Sequence, residues 1–326
     1  MTLGNAGRPR EGVRAGGRVG RALLCAAVVL GALHVGNGEA HAGGYDTPIL
    51  YSARHIGMGG TAVGYVGDPS ALFHNPAGIA QVERFSVLGD FSLILGDIQA
   101  APANPNGGFG DVGSLRSETT VAPFFLLGAA GRLTDWMTVG VAAYPVASAG
   151  AEFNYTSDFD EDFIDRTRLV FFELSAAAAF QIPSYPQLRL GLGYRVTFVS
   201  LEREQANQAE GVPPQIDFEA SGQNFAGVRI GLQWEAIDDM LQLGLAYRHK
   251  TSTTIDGSGF VVGSEFDYVE TKFVLPSRLS FGARFDYLDF GVAFDFEYAF
   301  QSQNDRADVL VGASSDMTNA VGNIYD

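Results

Sequence analysis

The chain has 326 residues, a formal net charge of −16 and 46% hydrophobic residues, with 41 glycines and 24 phenylalanines. This acidic balance leaves no basic patch, which excludes nucleic-acid binding. After Gly43 no stretch reaches the roughly 18 consecutive apolar residues of a transmembrane helix. A chain that meets lipid without helices must form a closed β-barrel, because every backbone amide needs a hydrogen-bond partner.

Residues 1–42 are predicted to be a secretory signal peptide. Five arginines precede an apolar run, Ala22 to Val35, that is too short to span a bilayer, so a retained membrane anchor is the weaker alternative. Ala40-His41-Ala42 fits the small-x-small cleavage pattern. Removing five Arg and two Glu leaves 16 basic and 35 acidic residues, a net charge of −19. Cys25, the only cysteine, is also lost, which excludes disulfides and cysteine-based zinc or catalytic sites.

The next segment, residues 43–84, shows no strand pattern but holds three short motifs. They are Gly57-Met58-Gly59-Gly60, Asp68-Pro69-Ser70-Ala71-Leu72-Phe73 and Asn75-Pro76-Ala77-Gly78. Pro76 fixes φ and donates no hydrogen bond, and an asparagine side chain such as Asn75 can bond neighbouring backbone. Ala77 and Gly78 allow close packing. On these residues alone, an ordinary tight turn and a folded plug remain equally open.

Nine segments between residues 85 and 303 show the period-two alternation of strands. The clearest is Leu288 to Gln301, which is longer than the roughly 9–11 residues of a tilted membrane strand. Phe290, Phe294, Phe296 and Phe300 share one face, which we expect to meet lipid, whereas Asp295 and Glu297 share the lumen face. The other segments are 85–99, 119–131, 137–148, one that starts at Val170, 188–198, 226–234, 241–247 and 278–285.

The connections between these segments alternate in length. Short turns fall at 132–136, 183–187, 235–240 and 286–288, and long polar stretches fall at about 97–120, 149–167, 203–222 and 254–270. Periplasmic turns that alternate with longer extracellular loops are typical of outer-membrane barrels. The fold class predicted is all-β, an antiparallel transmembrane β-barrel over residues 85–303. Nine strands cannot close a barrel of even strand number, so residues 304–326 are a tail or the start of further strands.

The motifs of the N-terminal segment resemble those of the FadL/TodX family of outer-membrane transporters. The resemblance continues into Val121-Ala122-Pro123, Val139 to Tyr144 and Ala151-Glu152-Phe153, and it covers most of residues 50–303. It implies a barrel of fourteen strands, of which about five are missing here, with residues 43–84 as a hatch inside it. The implied hatch motif is Gly57, Gly59, Gly60, Asp68, Asn75, Pro76, Ala77 and Gly78.

The resemblance also implies a function. Hydrophobic small molecules, either long-chain fatty acids or aromatic hydrocarbons, pass through the barrel of a Gram-negative outer membrane and leave sideways at a kinked third strand. Pro145 and Gly150 are the candidate border of that exit, because proline cannot donate to a ladder. The expected partners are the substrate, outer-membrane lipid and lipopolysaccharide. We expect a monomer without cofactor or metal. The alternative is a barrel of the same family that serves as a secretion or attachment scaffold.

Charged residues on the predicted lumen face admit two interpretations. They include six arginines: Arg189, Arg195, Arg229, Arg248, Arg278 and Arg284. We favour a network paired with acids such as Glu173, because buried charge must be paired. The alternative is a site for the head group of an amphipathic acid. The acidic stretch from Asp158 to Asp165 lacks EF-hand spacing and is predicted to be a solvated loop rather than a calcium or lipopolysaccharide-bridging site. No matched Ser–His pair supports an enzyme.

Overall fold

The computed structural model describes residues 51–100, 115–156, 161–261, 264–304 and 310–312. The predicted signal peptide and most of the C-terminal tail lie outside these residues. These residues form two short helices, α1 (Ala53–Gly57) and α2 (Ala71–His74), and the 3-10 helices Pro76–Gln81 and Gln301–Gln303. The strands are β1 (Phe85–Gly96), β2 (Gln99–Ala100), β3 (Leu115–Arg116), β4 (Thr120–Thr134), β5 (Met137–Thr156), β6 (Asp162–Ile182), β7 (Tyr185–Asn207), β8 (Ile216–Ile237), β9 (Leu241–Arg248), β10 (Thr251–Val261), β11 (Ser264–Leu275), β12 (Arg278–Tyr287), β13 (Phe290–Ala299) and β14 (Leu310–Gly312).

The main sheet is antiparallel throughout, and its long strands follow one another in chain order. β1 pairs with β4, and the order continues through β5, β6, β7 and β8. The long strand β8 pairs with two shorter strands in turn, with β10 along its first part and with β9 along its last part. On their other edges β10 pairs with β11, and β9 pairs with β12. The pairs β9–β10 and β11–β12 are therefore two wall strands, each with one interruption. The described wall thus has nine strands in a curled half-barrel, as the sequence predicts.

Three of the predicted long polar loops are wrong over most of their length. β5 continues to Thr156, β6 begins at Asp162, and β7, β8, β10 and β11 occupy most of 203–222 and 254–270. Apolar alternation reports contact with lipid, whereas a strand that projects beyond the bilayer keeps its ladder with polar side chains on both faces. Ion pairs such as Arg166–Glu204 at 2.7 Å join β6 to β7 in this polar region. Hydropathy alone therefore underestimates strand length.

The turns at the opposite edge are tighter than predicted. β4 and β5 are separated only by Asp135 and Trp136, and β12 and β13 only by Leu288 and Asp289. Leu288, predicted to start a strand, has φ 54°, so it lies in the turn in a left-handed conformation. Such a conformation is unusual for leucine and follows from the two-residue connection.

The N-terminal segment, residues 51–84, contacts inward-facing residues of many wall strands at once. Its partners lie on β4, β5, β7, β8 and β13. A segment this short can reach so many strands only because the sheet curls around it. The buried core lies between this segment and the concave face of the sheet, and includes Leu72, Ile79, Leu126, Tyr144 and Phe171. The helices formed by the described residues all lack the length and apolar character needed to cross a membrane.

Candidate functional site

The Asn75-Pro76-Ala77-Gly78 motif fixes the N-terminal segment to the wall. Asn75 is fully buried, and its side-chain amide donates to the carbonyl oxygens of Val63 at 2.8 Å and of Leu232 in β8 at 3.0 Å. Its Oδ1 accepts from the backbone N–H of Ala77 at 3.2 Å, which begins the 3-10 helix. The asparagine therefore joins two parts of the segment to each other and to the wall.

Glycines on the inner face of the wall allow this close approach. A β-carbon at Gly191 in β7 would collide with the backbone N–H of Ala77, and one at Gly231 in β8 would collide with Oδ1 of Asn75. Gly244 and Gly282 meet the backbone of Val63 and Gly64 in the same way. Alternating glycines that appear as weak strand residues in the sequence are thus contact points for the N-terminal segment.

Other motif residues shape the segment itself. Gly59 and Gly60 have φ of 72° and 88°, a conformation that favours glycine, and they form the turn after α1. Gly57 lies at the end of α1 with open space around its Cα. Asp68 accepts from the backbone N–H of Ser70 at 2.8 Å and so shapes the start of α2. A β-carbon at Gly78 would collide with the carbonyl oxygen of Val66.

Further contacts between wall and segment have little signal in the sequence. Asp295 in β13 accepts from the backbone N–H groups of Ala62 at 2.6 Å and Val63 at 2.9 Å. Gln233 in β8 donates to the carbonyl oxygen of Val66 at 3.0 Å. Arg132, which the sequence places in a turn, donates from β4 to two carbonyl oxygens of the segment, at 2.8 and 3.0 Å. All three lie on the inward face of their strands. That face is the only signal in the sequence for Asp295 and Gln233, and Arg132 has none because it falls in a predicted turn.

Three of the six candidate arginines surround one buried carboxylate, that of Glu173 in β6. Arg195 forms an ion pair with Glu173 and donates to the carbonyl oxygen of His249 at 2.8 Å, and both charged side chains are fully buried. Arg229 lies 3.9 Å from Glu173, donates to the carbonyl oxygen of Leu72 at 2.9 Å and also donates to that of Phe73. Arg248 also acts electrostatically on Glu173. The N-terminal segment therefore bonds directly to this charge network.

The other three arginines also pair with acids, Arg189 and Arg278 with acids on a neighbouring strand and Arg284 with an acid on its own strand. Arg189 lies 3.3 Å from Glu235, Arg278 pairs with Glu297, and Arg284 forms two bonds to Asp286 at 2.7 and 2.9 Å. Arg284 also lies over the ring of Tyr65, 4.7 Å from its centroid. These contacts are those of a paired network on the inner face of the wall.

The wall splits between β4 and β5. Their ladder runs from Thr134–Met137 to Leu127–Ala143 and stops there. β4 continues to Thr120 paired only with β1, and β5 continues to Thr156 paired only with β6. Both strands carry a proline beside the split, Pro123 and Pro145, and neither can donate a ladder bond. The register of β5 against β6 also shifts between Pro145 and Ala147, which bulges the strand.

This split, called the β4–β5 gap below, is bordered by aromatic side chains. On the inner side, Tyr51 donates to the carbonyl oxygen of Pro145, and its ring centroid lies 4.9 Å from that of Phe73 and 5.9 Å from that of Tyr144. Burial raises the pKa of the Tyr51 phenol, so it remains a hydrogen-bond donor. On the outer side, Phe125 reaches past β5 to within 6.1 Å of the ring of Phe172.

The far end of the gap is closed by one backbone bond. The N–H of Glu118 donates to the carbonyl oxygen of Glu152 at 2.7 Å. Gly150 lies just before this bond on β5, and a β-carbon there would collide with the carbonyl oxygen of Thr167 in β6. Both candidate exit residues, Pro145 and Gly150, thus lie on the strand that borders the gap.

The described residues contain no cluster of three or more His, Cys, Asp or Glu side chains placed to hold a metal ion. Of the acidic stretch, positions 157–160 lie outside the described residues. Asp162 and Asp165 belong to β6 and not to a loop: Asp165 pairs with Arg203, and Asp162 accepts from Thr156 at 2.7 Å.

Comparison with solved structures finds the same fold in several outer-membrane channels. The crystal structure of the Pseudomonas putida toluene transporter TodX matches with a TM-score of 0.60 and 19% identity, covering 87% of this chain and 79% of that chain. A Pseudomonas aeruginosa FadL homologue matches with a TM-score of 0.58 and 14% identity over 86% and 74% of the two chains. The Ralstonia pickettii toluene transporter TbuX matches with a TM-score of 0.56 and 18% identity, covering 85% of this chain and 79% of that chain. Curated protein sequences give no significant match.

The curled antiparallel wall, with apolar residues outside and charged residues inside, defines this molecule as a β-barrel protein of the outer membrane. A family model described as outer membrane protein transport protein (OMPP1/FadL/TodX) matches residues 35–270. The chain therefore belongs to this family, a family of channels for hydrophobic compounds and not of enzymes. The resemblance seen in the sequence motifs is confirmed, as are the fold class and the outer-membrane location.

Proposed function

We propose that the protein passes hydrophobic small molecules across the outer membrane and releases them sideways into the bilayer through the β4–β5 gap. In this proposal residues 43–84 act as a hatch that closes the barrel. The observation that supports it is the early end of the β4–β5 ladder at Leu127–Ala143. A closed barrel normally satisfies every backbone group at membrane depth through its neighbours, so an unpaired stretch there needs a reason.

The surroundings of the gap suit an apolar molecule. Tyr51, Phe73 and Tyr144 present aromatic rings on the inner side, and Phe125 and Phe172 do so on the outer side. The guanidinium of Arg229 lies 5.3 Å from the centroid of the Phe73 ring and already donates to two carbonyl oxygens, and Glu173, opposite Tyr144 in the ladder, is paired with Arg195. An uncharged molecule therefore crosses this region without separating an ion pair. Both aromatic hydrocarbons and acyl chains fit this description.

Closing the gap tests the proposal. The variant combines Pro145→Val, which restores an N–H, with deletion of Val146, which removes the bulge. The matched control is Pro186→Val, in β7 and away from the gap. Uptake of radiolabelled toluene and of oleate is measured in a strain that lacks the chromosomal gene, with heat-modifiable gel mobility as the test of folding.

We expect the closed variant to fold and to lose uptake, and Pro186→Val to keep it. Uptake unchanged in a folded closed variant places the exit elsewhere. If the wild-type protein takes up neither compound, a scaffold for secretion or attachment becomes the better proposal.

A further inference from the structure

A groove of about 770 Å³ crosses the outer face of the wall from β1 to β8. Its floor has no side chain larger than valine. The outward-facing floor residues are Ala129, Gly131, Val139, Val141, Ala176 and Ala178. Large, exposed side chains form the two rims: Phe85 and Leu133 on one side, and Leu192 and Tyr194 on the other. The cross-strand register aligns these residues in two adjacent rows.

Packing does not explain the small residues of this floor. In the alanine run of β6, Ala177 and Ala179 face inward and are buried, so the crowded interior limits their size. Ala176 and Ala178 face outward, where lipid accepts apolar side chains of any size. The outer face elsewhere carries large residues such as Phe281 and Phe296. The fold thus does not require the small outward-facing residues that form the groove.

The groove is continuous with the β4–β5 gap. The last ladder pair below the gap is Leu127–Ala143, and the next outward-facing pair of the same ladder, Ala129–Val141, is already part of the groove floor. Two residues along a strand correspond to about 7 Å. The groove therefore lies between the gap and the tight turn that joins β4 to β5, and it begins within about 7 Å of the end of the gap.

The lining defines the chemistry of the occupant. Among the residues that line the groove, only Tyr194 carries a polar side-chain group, its hydroxyl, and none is charged. A carboxylate in the groove would have no ionic partner, and burying one without compensation is costly. The volume lies within the roughly 300–1,000 Å³ of small-molecule sites. The lining therefore favours an uncharged hydrocarbon.

The direction of the groove favours a transported molecule over a membrane lipid. The groove follows rows of cross-strand neighbours, and the strands of such barrels tilt by roughly 35–45°, so the rows lie roughly 45–55° from the membrane normal. A lipid tail that stands along the normal fills only part of such a groove.

We propose that the groove is a binding site on the outer wall for an uncharged hydrocarbon that has left the β4–β5 gap. This inference rests on the proposed lateral exit and narrows its substrate class to uncharged hydrocarbons. The site holds the released molecule in the half of the wall nearest the β4–β5 turn, which is predicted to be periplasmic because it is short.

Fluorescence quenching tests the binding. The mature chain is predicted to contain no cysteine, so Leu133→Cys on the rim and Leu279→Cys, outward-facing on β12 and outside the groove, can each carry a bimane label in phosphatidylcholine vesicles. The quencher is 4-bromotoluene, and 4-bromobenzoate is its charged analogue. We expect saturable quenching by 4-bromotoluene at position 133, unsaturable quenching at position 279, and little quenching by 4-bromobenzoate at either position.

Equal, unsaturable quenching at both positions means that 4-bromotoluene only dissolves in the lipid, and it overturns the proposal. Saturable quenching by 4-bromobenzoate as strong as that by 4-bromotoluene overturns the substrate class. A third quencher, brominated phosphatidylcholine, tests the lipid occupant. If it quenches position 133 more than position 279, and 4-bromotoluene does not displace it, the groove is a lipid site.

An uptake measurement separates this proposal from the proposed function. Ala178→Phe fills the groove floor, and Ala283→Phe adds the same bulk to the outer face of β12 as a control. We expect a several-fold loss of toluene uptake only for Ala178→Phe, with folding unchanged by heat-modifiable mobility. Wild-type protein without uptake would contradict the transport function itself. Wild-type uptake that Ala178→Phe leaves unchanged would contradict only a role for the groove.

Discussion

Replacing Asn75 with alanine should release the N-terminal segment from the wall. The change removes two donated bonds, to the carbonyl oxygens of Val63 and Leu232, and each is worth about 1 kcal/mol net. It also leaves the buried N–H of Ala77 without its acceptor, which costs about 1–3 kcal/mol. The sum is about 3–5 kcal/mol against the docked segment. The equilibrium for local opening should therefore rise by more than about a hundredfold, since 1.4 kcal/mol is tenfold.

Hydrogen exchange followed by mass spectrometry measures this opening on peptides from residues 51–84 in detergent micelles. The control is Asn154→Ala, an exposed asparagine whose bond to Glu118 spans 3.4 Å and which should change stability by less than about 0.5 kcal/mol. Peptides from β6 and β7 should keep wild-type protection in both variants, because the wall ladders are intact. If Asn75→Ala and Asn154→Ala show the same protection of residues 51–84, the motif does not hold the segment and the reasoning fails.

Three further predictions concern charge and polarity. Glu173→Gln should destabilise the barrel by about 3–5 kcal/mol, because the buried arginines lose their negatively charged partner. Glu202→Gln is the control, since its ion pair with Arg168 is exposed and its loss should cost less than about 1 kcal/mol. Urea unfolding in vesicles measures the free energy of unfolding of both variants. Phe281→Arg, on the outer face, should cost about 2–4 kcal/mol if that position lies at the bilayer midplane, and Phe281→Leu should be nearly neutral in the same assay. In the N-terminal segment, outside the membrane-spanning strands, burial lowers the pKa of His74 from 6.5 to about 4. Because the folded-state pKa of His74 lies below its unfolded value, docking of the N-terminal segment should weaken as the pH falls from about 6.5 towards 4. Limited proteolysis measures this acid sensitivity. His74→Gln should reduce it, and the control His249→Gln should not.

The sequence by itself determined the fold class, the nine wall strands and the outward face of the strands that alternate most clearly. These follow from a local rule, because successive side chains of a strand point to opposite faces and lipid selects apolar residues on one of them. The motif around Asn75 likewise identified the family. The same rule failed to predict the polar parts of β6 and β8 that lie far from the tight turns, because hydrogen bonding between strands continues where contact with lipid ends.

Only the tertiary structure decided what the inward-facing residues contact. Tyr51 and Pro145 lie far apart in the chain, as do Asn75 and Gly231, and no local pattern indicates that they meet. The gap itself exists because the ladder between β4 and β5 ends while the ladders that join them to β1 and β6 continue. The groove depends on small residues from several strands that fall in one row. Such features arise from the register between strands, and register is set by turns and bulges along the whole wall, so no single segment contains them.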